Sequence, residues 1–151
     1  MIKILCIGKI KETYLKEAIN EYLKRLSKYE KIEIIEGTDV DLGNPSLNKQ
    51  KEKEFFLKNI KEKDFLITLE IEGKEFTSEE FSKKLEDIQI HNSNIVFIIG
   101  GSDGIDEEIK KKSQLKLSFS KMTFPHQLFR VILLEQIYRA YKIRNHESYH
   151  K

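Results

Sequence analysis

Apolar positions along this chain fall into short continuous runs that alternate with longer stretches at helical spacing. Ile2 to Gly8 is a compact apolar run, and Tyr14, Leu15, Ala18, Ile19, Tyr22, Leu23 and Leu26 follow at the intervals of a helix face. Lys31 to Glu36 is a largely alternating strand. After a polar connector from Gly37 to Asn48, Gln50 to Lys61 carries Phe55, Phe56 and Ile60 among many charges and predicts a helix with one narrow apolar face. Asp64 to Leu69 is apolar without alternation, the pattern of a strand covered on both faces. Thr77 with Glu80 predicts a capping box, flanked by Phe76 and Phe81 at staple positions, so a helix opens at Ser78 and runs to Ile90. Asn94 to Ile99 is a fourth strand and ends in Gly100-Gly101-Ser102-Asp103-Gly104. A short helix around Asp106 to Lys112, a fifth strand over Leu115 to Ser118 and a last helix over Gln127 to Lys142 complete the chain.

Strands alternating with helices predict an α/β fold, a mostly parallel sheet with helices on both faces. Ligands of such sheets sit beyond the carboxyl ends of the strands. Three connectors reach that edge: Glu70 to Thr77, Gly100 to Gly104, and Ser118 to His126. The third reads Ser-Phe-Ser-Lys-Met-Thr-Phe-Pro-His, too apolar for an ordinary surface loop. It can line a pocket for a flat, partly apolar ligand, or it can be a buried connector that packs. The glycine loop lacks the Gly-Lys-Ser/Thr of a phosphate loop and the position of a dinucleotide fingerprint. It can admit a ligand to its backbone or simply turn tightly.

A chain of 151 residues, 39% hydrophobic and 34% charged, suits one domain spanning residues 1–151. No apolar run is long enough for a membrane span, and the N-terminal run is too short for a signal peptide. The single cysteine, Cys6, lies inside the first strand and is expected in the core, and a chain without disulfides is expected in the cytoplasm. Net charge is +2, yet His126 to Lys151 alone carries +3, so positive charge collects at the C-terminus. That end can form a phosphate-attracting patch or merely favour a helix terminus. Of the four histidines, His146 and His150 stand four apart but no third ligand lies at a recognisable spacing, and no Gly-x-Ser-x-Gly elbow is present.

Leu128 to Tyr138 is apolar nearly all round and needs cover on more than one side, which a second copy of the chain can supply. Glu135 stands four residues before Arg139 and offers it an ion pair. The tail, Arg144 to Lys151, can be a frayed basic end, but Tyr149 and His150 are groups that stack on a base or move a proton.

The glycine loop, the run Leu117 to His126, then Arg130-Val131, Glu135-Gln136-x-Tyr138-Arg139-Ala140 and the terminal Tyr149-His150 together resemble the RlmH family, SPOUT-class methyltransferases of large-subunit ribosomal RNA. The likeness runs essentially from end to end. It implies a C-terminal deep trefoil knot in the α/β fold, a homodimer, S-adenosylmethionine as methyl donor, and N3-methylation of a pseudouridine in 23S rRNA on the ribosome, with neither metal nor membrane. Carried over by position, cofactor contacts fall on Leu69, Gly100, Phe119, Ser120, Lys121, Met122, Thr123 and Phe124. Arg139, Tyr149 and His150 match positions tied to substrate binding and catalysis, placed by the family against the partner subunit's cofactor. Arg130 is expected to supply charge for the RNA backbone. Ser148 departs from the proline many members carry before Tyr-His, which bears on the tail's rigidity. Two other functions compete: a non-catalytic nucleotide- or RNA-binding α/β module, and an enzyme acting on another adenosyl ligand.

Overall fold

The computed structural model describes residues 1–151. Five strands, β1 (Ile2–Ile7), β2 (Ile32–Gly37), β3 (Phe65–Glu75), β4 (Ile95–Ile98) and β5 (Leu115–Ser118), form one sheet. Its order is β2-β1-β4-β3-β5, and every pairing is parallel. The helices are α1 (Thr13–Leu26), α2 (Pro45–Asn59), α3 (Ser78–His91), α4 (Glu107–Lys112) and α5 (His126–Arg144).

Both faces are covered, as the unbroken apolar strands require. On one face Ile4, Cys6, Ile67 and Phe97 pack with α1, α3 and α5. On the other, Leu5, Leu66, Val96 and Ile98 meet Phe56 of α2 and Ile109 of α4. Cys6 is fully buried, and that burial pushes its thiol up to about 11, so it behaves as an apolar side chain.

The α3 start follows its sequence closely. Thr77 accepts from the Glu80 amide and Glu80 accepts from the Thr77 amide, two otherwise orphan donors satisfied reciprocally. Helix α2 begins earlier than its apolar pattern indicates, because Asn44 caps it and Pro45 occupies its first turn. Strand β3 is longer than expected. Leu69 and Lys74 both stand opposite Leu117, so residues 70–73 bow out of the ladder around the end of β5. A Cβ on Gly73 would lie 2.7 Å from the Lys116 carbonyl carbon, which leaves room for glycine alone.

Arg130 corrects one expectation. It is fully buried, not available to an RNA backbone. Its guanidinium donates to the carbonyls of Ile7 at 2.6 Å and Gly8 at 2.8 Å, and to Glu36 at 2.8 Å. A buried guanidinium requires such partners. The helix thereby carries its N-terminus, and the loop before it, to the carboxyl ends of β1 and β2. The basic C-terminus is likewise largely tied down: Arg139 pairs with Glu135, Lys142 with Glu147, and Arg144 lies over the Tyr141 ring.

Candidate functional site

The three connectors converge as expected. Residues of the stretches 69–72, 99–105 and 117–126, Asp103 and Lys121 excepted, line one cleft of about 570 Å³ at the carboxyl ends of the strands. That volume suits a small organic ligand. Each wall has a local cause. The Ser118 hydroxyl donates to the Ser120 carbonyl at 3.1 Å, and the Ser120 hydroxyl accepts from the Met122 amide at 3.0 Å, so the loop is wound on its own hydroxyls. Phe119 packs edge-on against Phe129 at 4.9 Å, and Phe124 stacks on the same ring at 5.9 Å. Opposite them, Gly101 and Gly104 close a turn in which Gly104 adopts φ +85°, a conformation that favours glycine.

Leu69, Gly100, Phe119, Ser120, Met122, Thr123 and Phe124 all line the cleft. Lys121 is exposed and is not among the lining residues. His126, which follows Pro125 at the start of α5, also lines it. Its Nδ1 is buried without a partner, and desolvation first, Arg130 second, hold the imidazole below its ordinary pKa. The cleft therefore presents aromatic faces and glycine backbone, a set that fits a flat, partly apolar ligand such as an adenosyl group.

The tail forms a second cluster, outside the cleft. Tyr149 lies edge-on to Tyr138 at 4.8 Å and donates to Glu135 at 2.7 Å, while Arg139 covers the Tyr149 ring at 4.8 Å. Arg139 donates to both Glu135 oxygens, at 3.3 and 2.7 Å, and reaches His150 Nδ1 at 3.0 Å. His150 Nε2 meets Glu79 at the start of α3, a partner no sequence spacing announced. Partial burial first, then Glu135, push the Tyr149 phenol above its ordinary pKa, so it stays protonated at neutral pH. Despite Ser148, the tail is anchored: Glu147 accepts from Tyr29 at 2.8 Å and from Lys142 at 3.2 Å. Arg139, Tyr149 and His150 are thus brought together, but none of them lines the cleft of the same chain.

No group of three acidic, histidine or cysteine side chains could hold a metal ion, and no helix is long and apolar enough to cross a membrane.

Comparison with known proteins yields four findings. A family profile described as a predicted SPOUT methyltransferase matches residues 1–150. The chain is 53% identical over 157 residues to the ribosomal RNA large subunit methyltransferase H of Clostridium botulinum strain Okra, with 99% of each chain covered. It is 54% identical to the putative ribosomal RNA large subunit methyltransferase H of Methanococcus maripaludis, again over 99% of each. Among solved structures, a probable methylase family protein from Haemophilus influenzae Rd KW20 shares the fold, with a TM-score of 0.62 at 12% identity, covering 99% of this chain and 70% of that one.

Proposed function

The chain belongs to the RlmH family of SPOUT methyltransferases, and we propose that it transfers a methyl group from S-adenosylmethionine to N3 of a pseudouridine in 23S ribosomal RNA. The observation that carries this is the cleft where three strand-end loops meet under two phenylalanine rings and a glycine turn. Leu69, Gly100, Phe119, Ser120, Met122, Thr123 and Phe124 hold the cofactor there. The cofactor supplies a methyl group on a sulfonium sulfur, transferable in line and without a metal. The protein's main contribution is then positioning and proton removal.

The acceptor nitrogen carries a proton, and the tail cluster is built to take it. Tyr149, kept protonated, is a donor rather than a base. His150 is the base, the side-chain type most often used for proton transfer. In the free protein its Nδ1 lone pair is occupied by Arg139. When an RNA phosphate draws Arg139 away, that lone pair becomes free to accept the N3 proton. Glu79, against Nε2, then stabilises the imidazolium that forms.

Because the cluster lies outside the cleft of its own chain, the active unit is a homodimer in which one tail serves the partner's cleft. The whole chain, residues 1–151, acts as one cytoplasmic domain on the large subunit or the ribosome. The reading includes the deep trefoil knot at the C-terminal end of the chain. Calorimetry with S-adenosylmethionine tests the reading: saturable binding is expected, and no heat with a folded dimer would leave a non-catalytic RNA-binding module in its place.

A further inference from the structure

Glu52 on α2 is 8% exposed, yet no cation pairs with it. Its hydrogen-bond partner is the Gly101 amide, which donates to Oε1 at 3.3 Å. Burial is the first cause holding this carboxyl above its ordinary pKa, with Asp103 and Asp39 adding to it and the Gly101 amide and Lys49 opposing. Asn48, one helical turn earlier and also 8% exposed, donates to Asp103 Oδ2 at 3.0 Å and accepts from the Leu42 amide at 2.8 Å. A buried carboxylate without a counter-ion is an expensive element to keep unless it does something.

The contact is also unusually close. A Cβ on Gly101 would lie 2.7 Å from Glu52 Oε2, so the carboxylate keeps this seat against the loop backbone only while that position is glycine and must shift otherwise. Four residues further along the same helix face, Phe56 is buried against Ile105 and Ile109, which follow the glycine turn. One face of α2 therefore grips residues 100–109 from behind, polar at the turn and apolar beyond it. Glu52 itself does not line the cleft.

We propose that Glu52, with Asn48, is a positioning residue that sets the glycine turn in the shape its ligand requires, and so governs cofactor affinity without touching the cofactor. The inference rests on the assignment of the cleft to S-adenosylmethionine. Its mechanism is simple: the turn's amides and carbonyls can face a ligand only while their backs are held, and a freed turn must be reordered at each binding event.

The test is calorimetry with S-adenosylmethionine and steady-state methylation, on the full-length dimer, of the wild type, Glu52→Ala and Glu52→Gln. Glu52→Ala is expected to weaken cofactor binding and raise its KM about tenfold, with a much smaller loss of kcat. Glu52→Gln retains an oxygen acceptor for the Gly101 amide and restores most of that loss. Gly101→Ala, which drives the carboxylate away, should reproduce the Glu52→Ala defect in a folded protein. Wild-type affinity in folded Glu52→Ala would overturn the proposal while leaving the cofactor assignment intact. So would equal losses in the Ala and Gln variants, or a loss confined to kcat. Absence of binding by the wild type would instead remove the assignment on which it rests.

Discussion

Arg139 Nη1 stands 3.0 Å from Nδ1 of His150, and this contact fixes the form of the ring. A guanidinium can only donate, so Nδ1 must be the acceptor and carry no proton. The proton of the neutral ring then sits on Nε2 and is donated to Glu79. Nitrogen-15 spectra of the ring are expected to show the Nε2–H tautomer in the free protein at pH 8. In Arg139→Ala that preference should weaken, and the tautomer would be untouched if Arg139 did not hold the ring.

Removing the ring tests its chemistry. His150→Ala should lower single-turnover methylation by roughly 10²-fold or more, the scale of a lost general base. Its cofactor isotherm should stay close to the wild type, since His150 is not one of the cleft residues assigned to hold the cofactor. Unchanged turnover would take His150 out of the reaction.

Arg130→Met tests the anchor of α5. Three hydrogen bonds of a fully buried guanidinium vanish and Glu36 loses its counter-charge. A cost of about 3–5 kcal/mol is expected, read as a lower urea midpoint. A loss below about 1 kcal/mol, the worth of an exposed pair, would contradict the structure.

The capping box is a smaller test. Thr77→Ala should cost about 1 kcal/mol in thermal unfolding, because the Glu80 amide loses its acceptor.

Two of the six tyrosines should ionise late. Burial raises the Tyr141 phenol to about 12, with Glu30 adding to the effect and Gln89 opposing it. A raised pKa in the folded state means stability fully present below the unfolded value, ~10, and lost as pH rises through about 12. The phenolate absorbance of Tyr141→Phe should lack one of the late steps. Six equal ionisations near pH ~10 in the folded protein would contradict this environment.

Much of this was legible from residue order alone. β5 was placed residue for residue, and the α3 start followed from Thr77 and Glu80, because both depend on local chemistry. The cleft was legible because parallel sheets bind ligands at one edge and three connectors reach it. The early start of α2 carried a signal in Asn44-Pro45 that the apolar pattern hid. The continuation of β3 did not, since Glu70-Ile71-Glu72-Gly73 has the composition of a connector and pairs only because β5 comes to meet it. Arg130 to Glu36 spans 94 positions and Glu79 to His150 spans 71, and no local pattern encodes either pairing. Glu52 was hidden in the same way, as one charge among many on a helix whose buried face is partly polar.

The most direct measurement is mass spectrometry of 23S ribosomal RNA from the source cells with and without this protein. The account predicts that one N3-methylated pseudouridine becomes plain pseudouridine when the protein is absent, and that the methyl group returns on adding the purified dimer, S-adenosylmethionine and ribosomes. An unchanged pseudouridine methylation pattern would contradict it.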